Sequence, residues 1–301
     1  MDIGIVGAGA MGSIFAFYLR KAGFTVRMYD TDPETVAAMG KGLFVEDGNT
    51  AESVDITVDN NPDILRGCGS VFIFVKSYAT ENAAKDISVV LSEDIPVITL
   101  QNGLGNRETL SRYFDNTRII YGSTSIGAAK KDPGTVIPGG MGDIIIGGGN
   151  PGSLKSTADI LDSAGLKVTL TDSPDTVIWK KVIVNAGINP LGALLNVPNG
   201  SLVKDENTLA LQERIITEAV QVARSLDIDI SLPEMISITR DVCMKTGSNR
   251  CSMLQDITAC RKTEIDSING AIVGFGRDRG IPTPVNESLH LLIRAREGLY
   301  S

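Results

Sequence analysis

A lysine and two asparagines stand at four-residue steps in the run Trp179-Lys-Lys181-Val-Ile-Val-Asn185-Ala-Gly-Ile-Asn189-Pro. In an α-helix such steps drift by only about 40° each, so Lys181, Asn185 and Asn189 share one face of a helix whose other positions are largely apolar. A solvated surface explains that stripe poorly. Two readings fit it: asparagines that hydrogen-bond adjacent helices, as buried amides must, or a site where Lys181 donates a proton and the two amides hold a polar ligand. Desolvation lowers a lysine's pKa towards the working pH, which suits a general acid. The single histidine, His290, lies on an apolar helical pattern near the C-terminus and reads as packed there. Lysine is therefore the leading proton carrier.

A second chemical signal opens the chain, where the apolar run Met1-Asp-Ile-Gly-Ile-Val leads into Gly7-x-Gly9-x-x-Gly12 and then a helical stripe. This order is a dinucleotide-binding fingerprint. Gly7 permits a tight turn, Gly9 lets the backbone approach a pyrophosphate, and Gly12 lets the helix lie close on the strand with its N-terminus towards the phosphates. Phe15, Leu19 and Ala22 continue the stripe, Gly23 stops it, and Thr25–Tyr29 reads as a second strand ending in Asp30.

The elements that must hold these groups alternate through the first part of the chain. Helices are expected near Pro33–Met39 and Thr80–Leu91, strands near Ser70–Val75 and Pro96–Leu100, and Lys76 and Gln101-Asn102-Gly103 follow strand ends. Ligands collect at such carboxyl ends in a parallel sheet. The β-branched, glycine-punctuated stretch from 119 to 149 reads as short antiparallel or mixed strands completing the sheet. A helix over Ser153–Ala164 and a strand over Lys167–Leu170 follow. From Asp175 the pattern is helical, with spans expected at Asp175–Leu195, Asn207–Leu226, Pro233–Lys245, Ser252–Arg279 and Thr283–Gly298. The fold class is thus α/β: a Rossmann-type doubly wound sheet over residues 1–170, followed by an all-α domain over 171–301.

Composition limits the partners. With 43% hydrophobic and 21% charged residues in 301, the chain is an ordinary globule long enough for two domains. A net charge of −8 without a basic stripe argues against a nucleic-acid surface. No apolar run approaches the roughly 20 residues of a membrane span and the first strand begins at once, so a cytoplasmic protein with no membrane partner is expected. Cys68, Cys243, Cys251 and Cys260 lack paired spacing and read as buried thiols, not as metal ligands or disulfides. The apolar helical faces of the second part leave packing within the chain or across a homodimer open.

Five segments together resemble the ketopantoate reductase (2-dehydropantoate 2-reductase) family. They are Gly7-Ala-Gly-Ala-Met-Gly12; Val75-Lys76-Ser; Gln101-Asn102-Gly103; Trp179-Lys-Lys181 through Asn185, Asn189 and Pro198-Asn199-Gly200; and Ser252-Met-Leu-Gln-Asp256 with Lys262-Thr-Glu264-Ile-Asp-Ser-Ile-Asn-Gly270. The resemblance implies an NAD(P)H-dependent reduction of 2-dehydropantoate to (R)-pantoate, a step towards pantothenate and coenzyme A. It assigns Lys181 as proton donor and Asn185, Asn189, Asn199 and Ser252 as substrate contacts. Asn102 falls at the junction of substrate and cofactor. Cofactor contacts fall to Gly7, Ala8, Gly9, Ala10, Met11, Gly12, Lys76, Ala128 and Glu264. No metal is implied.

Elementary chemistry is consistent with those roles. Hydride addition to a ketone carbon leaves charge on oxygen, which an ammonium both stabilises and protonates. A substrate carboxylate suits a hydroxyl at a helix start, where Ser252 stands, and a substrate hydroxyl suits asparagine amides. If Ser252 and Glu264 share one continuous helix, twelve residues at about 1.5 Å separate them by roughly 18 Å, too far for both to touch a six-carbon substrate. Glu264 then serves the cofactor, unless it merely pairs with Arg261 or Lys262. Asp256 reads as structural.

The second strand departs from the family. NADPH users are expected to place a cation there for the 2′-phosphate, yet this chain has Tyr29-Asp30-Thr31-Asp32. Asp30 suits a ribose 2′-hydroxyl and repels a phosphate, so it leans towards NAD(H) over NADP(H), and Arg27, three residues earlier, should point away. A paralogous reductase of another 2-oxo or 3-oxo acid and a non-catalytic dinucleotide sensor remain the alternatives.

Overall fold

The computed structural model describes residues 1–48 and 50–299. The chain packs as two units, Met1–Gln101 with Asn106–Pro174, and Asn102–Gly105 with Asp175–Ser301. A single division near residue 170 is therefore too simple: the loop 102–105 leaves the first stretch and packs with the second unit.

The first unit carries strands β1 (Asp2–Val6), β2 (Thr25–Tyr29), β3 (Leu43–Asp47), β4 (Thr50–Val54), β5 (Thr57–Asp59), β6 (Ser70–Ile73), β7 (Val97–Thr99), β8 (Ile119–Thr124), β9 (Gly127–Asp132), β10 (Thr135–Gly140), β11 (Ile144–Gly148) and β12 (Val168–Leu170). Its helices are α1 (Ala10–Lys21), α2 (Pro33–Met39), α3 (Thr80–Ser88), α4 (Asn106–Leu110) and α5 (Pro151–Ser163). The main sheet has the order β12-β11-β8-β7-β6-β1-β2-β5. Every neighbouring pair is parallel except β11 against β8. Such strands are covered on both faces and must be apolar throughout, as Ile3, Ile5, Phe72, Ile98 and Ile120 are, all fully buried. The chain leaves β1 towards β2 on one side and returns to pair β6 on the other. That reversal opens a crevice at the carboxyl ends of β1 and β6.

Two expectations fail here. β3, β4 and β5 lie in a segment without an assigned element, because β4 is exposed along most of its length and shows no apolar alternation. In addition, only β8 and β11 of the 119–149 stretch complete the main sheet. β9 and β10 leave it to form a second sheet of order β4-β3-β10-β9. The cause lies in α1, whose Ile14, Phe15, Ala16, Phe17 and Leu19 are all buried. A helix apolar on more than one face needs a second cover, and α1 packs on β9, β10, β3 and β4.

The second unit is helical: α6 (Pro174–Leu195), α7 (Glu206–Ser225), α8 (Leu232–Lys245), α9 (Ser252–Thr258), α10 (Asn269–Asp278) and α11 (Pro284–Gly298). Asp205 caps α7 by accepting from the N–H groups of Asn207 and Thr208, each at 3.0 Å. Ile183, Ala186, Ile215, Ala219, Ile272 and Ile293 form its core.

The single helix expected over Ser252–Arg279 is broken. α9 ends in a Schellman motif, with Arg261 N–H donating to Asp256 O at 2.8 Å and Cys260 N–H to Ile257 O at 3.1 Å. Cys260 takes the left-handed φ of +51° that this motif requires. A 3-10 turn over Ile265–Ser267 then precedes α10, so the rod-length separation of Ser252 and Glu264 loses its premise. The break also corrects the cysteine reading: Cys68, Cys243 and Cys251 are buried, but Cys260 is exposed.

Candidate active site

In the first unit the glycine run forms a cradle. Gly7 adopts φ +98°, and a Cβ there would stand 2.8 Å from the Val75 nitrogen. A Cβ on Gly12 would stand 1.9 Å from Gly7 O, so α1 can meet β1 only through a glycine. Around Gly9 the space is open, with nothing within 4 Å of where its Cβ would be. An open backbone at the start of a 12-residue helix fits a pyrophosphate. Ala8 is buried and Ala10 and Met11 half-buried at the same turn. The Gly7–Gly12 turn thus has the room and the exposed backbone that the phosphates of a dinucleotide require.

Asp30 is tied to that cradle. Its Oδ2 accepts from Ala8 N–H at 2.6 Å and its Oδ1 from Asp32 N–H at 2.9 Å. Asp32 caps α2, and hydrogen bonding from the Thr35 hydroxyl holds its carboxyl below the usual range. Arg27 pairs with Asp2 and donates to Arg66 O at 3.0 Å, which commits its guanidinium away from Asp30. Lys76 is half-buried and follows Val75, the residue against the Gly7 turn. Gln101 braces this segment by donating to Val75 O at 2.6 Å and the Thr80 hydroxyl at 2.9 Å. Ala128 lies on β9 of the second sheet, opposite Pro138.

In the second unit α6 carries the polar stripe. Lys180 and Lys181 differ in their surroundings: Lys180 reaches an exposed ion pair with Glu234 at 2.7 Å, while Lys181, also half-buried, is under the influence of Glu264. Protein crowds Lys181 so closely that desolvation pushes its ammonium pKa down to about 8, against the opposite pull of the Glu264 carboxylate. Glu264 is only 8% exposed. Nearby, Arg261 pairs with Asp256 at 3.1 Å and Lys262 with Asp266 at 3.9 Å, which makes Asp256 the expected structural carboxylate. Asn185 is half-buried and Asn189 buried, one and two turns beyond Lys181.

Other expected residues join this unit by separate links. Leu104 N–H donates to Ser267 O at 2.8 Å, and Ser267 Oγ donates to Glu264 O at 3.0 Å. The loop bearing Asn102 is thereby fastened to the turn bearing Glu264. Ser267 was missed from sequence, although it lies inside a quoted motif. Ser252 is exposed and opens α9, whose preceding residue Cys251 donates its thiol to Asn189 O at 3.5 Å. Asn199 is buried, and its amide donates to the Thr246 hydroxyl at 2.9 Å. His290 is not simply packed: its Nε2 meets Asp266 Oδ1 at 2.8 Å.

Residues 3–151 match the family described as ketopantoate reductase PanE/ApbA, and residues 175–297 match its C-terminal part. The chain belongs to the ketopantoate reductase family. Among similar ketopantoate reductases, the 2-dehydropantoate 2-reductase of Halobacterium salinarum is 33% identical over 299 residues, 98% of each chain. That of Archaeoglobus fulgidus is 34% identical over 297 residues, 97% of each chain. Among solved structures, a PanE/ApbA family ketopantoate reductase from Ralstonia eutropha JMP134 has a TM-score of 0.93 at 29% identity, covering 100% of this chain and 99% of that one. A ternary structure of D-mandelate dehydrogenase with NADH and anilino(oxo)acetate has a TM-score of 0.95, also at 29% identity, with 100% and 99% covered. As a ketopantoate reductase family member, the chain is an oxidoreductase with a Rossmann-like dinucleotide-binding fold. No helix among the described residues is long and apolar enough to cross a membrane.

Proposed function

We propose that this chain reduces the ketone of 2-dehydropantoate to give (R)-pantoate, with Lys181 as the proton donor. The observation that carries the reading is Lys181 itself, held on the polar stripe of α6 with its pKa lowered to about 8 and the Glu264 carboxylate acting on it. A bound reduced nicotinamide supplies the hydride. Lys181 Nζ stabilises the negative charge that develops on the ketone oxygen and delivers a proton there. A pKa near the working pH keeps a useful fraction of the ammonium while easing the transfer.

Asn185 and Asn189, on the same face, hydrogen-bond the substrate's oxygen groups, and Ser252 meets its carboxylate. Asn199 and Asn102 complete the substrate shell, with Asn102 also towards the cofactor. Gly7–Gly12, Lys76, Ala128 and Glu264 serve the dinucleotide. Asp30 directs the choice towards NADH, since its carboxylate stands at the end of β2 and Arg27 is committed elsewhere.

A second reading has its own support: the likeness to D-mandelate dehydrogenase, at a TM-score of 0.95, points to an aryl 2-oxo acid. Initial rates with 2-dehydropantoate and phenylglyoxylate, each with NADH and NADPH, separate the two. Turnover of 2-dehydropantoate that is lost in Lys181→Ala supports the first reading. Preference for phenylglyoxylate moves the chain to the second, and binding without turnover sinks both.

A further inference from the structure

The functional stripe of α6 contains a proline, Pro190, directly after Asn189. Proline has no N–H, so the carbonyl four residues earlier, that of Ala186, loses its helical donor. Ala186 lies between Asn185 and Asn189, and an unpaired carbonyl there would be buried at a cost comparable to a lost hydrogen bond. Asn269, the first residue of α10, is fully buried and donates its Nδ2 to Ala186 O at 3.4 Å.

Asn269 is itself held. The same Nδ2 donates to Asn286 Oδ1 at 3.0 Å, and Asn286 Nδ2 donates to Glu218 Oε2 at 2.7 Å. Glu218 also accepts the backbone N–H groups of Val285 and Asn286, each at 3.0 Å, at the start of α11. A carboxylate at that position is favoured by the helix dipole and by the open N–H groups. The chain from Glu218 through Asn286 to Asn269 therefore crosses α7, α11 and α10 and ends on the proline gap in α6. Both amide hydrogens of Asn269 are used while its Oδ1 stays buried without a partner. Its orientation is thus set by the acceptors it serves.

We infer that Asn269 is a positioning residue for the reduction: it replaces the hydrogen bond that Pro190 removes, and so fixes the bearing of Asn185 and Asn189 relative to Lys181. The inference rests on the proposed role of that stripe in holding the 2-oxo acid. Removing the amide frees α6 to relax at its proline, which loosens the substrate's hold but leaves the glycine cradle of the other unit intact.

The test is steady-state kinetics of Asn269→Ala, with Asn269→Leu as a variant of similar volume should the alanine fail to fold. Pro190→Ala is made in both backgrounds, because alanine restores an N–H to Ala186 O. The expected result is a rise of about tenfold in KM for the 2-oxo acid, the scale of one buried hydrogen bond. NADH affinity, read by its fluorescence, stays within about twofold on the same scale. The double variant Asn269→Ala with Pro190→Ala recovers most of the loss, and backbone hydrogen exchange around residues 186–191 slows with it. A merely structural residue would lower the melting temperature without separating the two KM values and without rescue by Pro190→Ala. A wild type inert towards both 2-dehydropantoate and phenylglyoxylate overturns the functional reading and this inference with it. An active wild type whose KM is unchanged in the folded variants, or is not rescued, overturns the inference alone.

Discussion

Lys181 and Glu264 act on one another in the second unit. Burial drives the lysine towards its neutral form, the nearby carboxylate draws it back, and the balance leaves the ammonium pKa at about 8. Neither influence alone would leave an ammonium that titrates in that range. Full desolvation would discharge the lysine, and a dominant ion pair would hold its proton too firmly.

The pH dependence follows from the sign of that shift. With Lys181 as the proposed proton donor, reduction draws on its protonated form, so its rate is expected to be level below about pH 8 and to fall above it. Oxidation of the alcohol needs the neutral amine and should rise through the same range. Glu264→Gln removes the influence that raises the pKa, so the fall in reduction should begin at lower pH, by about one unit. Rate profiles in both directions for wild type and variant check this, and an unmoved profile in Glu264→Gln would dismiss the coupling. For folding the lowered pKa has the opposite meaning. Lys181 opposes the fold below about pH 8, and that opposition is relieved as pH rises towards its ordinary value of 10.5.

Gly103 offers a cleaner steric test. It sits at φ +89°, and an added Cβ would lie 2.4 Å from Ser267 Oγ and 2.8 Å from Ser267 O. Gly105 has the same φ of +89° but open space around it. Gly105→Ala should therefore cost only the backbone strain, about 1 kcal/mol, whereas Gly103→Ala should cost about 2 kcal/mol or more. Gly103→Ala should also lower kcat, because the displaced loop carries Asn102. Denaturant unfolding and kinetics of the two variants measure the difference, and equal losses would mean that the Ser267 contact matters little.

What the sequence made legible was local. The stripe Lys181–Asn185–Asn189 can be read because helical periodicity is written into one continuous run, and the Gly7–Gly12 turn because its neighbours declare strand and helix. Asp30 lies close enough to be counted from the glycines. The misreadings concern packing at a distance. Periodicity carries smoothly through Cys260, yet the chain turns there with a non-glycine residue in the left-handed region, which no apolar count signals. β4 is too exposed to alternate, and the second sheet exists because α1 needs a cover, which only the assembled fold reveals. The membership of residues 102–105 in the second unit and the effect of Glu264 on Lys181 likewise depend on chain segments far apart in sequence.

Cofactor choice can be tested at Asp30. Both of its oxygens accept backbone N–H groups, one of them from Ala8 within the glycine cradle. Asp30→Asn replaces one acceptor with a donor, so it should weaken both dinucleotides by disturbing the cradle. It also removes a negative charge that a 2′-phosphate would meet and an acceptor that a ribose hydroxyl would use. The ratio of kcat/KM for NADH over NADPH should therefore fall by about tenfold, one charge-assisted hydrogen bond's worth of discrimination. Arg27→Ala should leave that ratio unchanged, because the guanidinium is spent on Asp2 and the Arg66 carbonyl. Rates with both cofactors across the three enzymes decide the matter. If Asp30→Asn loses both activities in proportion, the carboxylate only shapes the cradle and does not set the choice of cofactor.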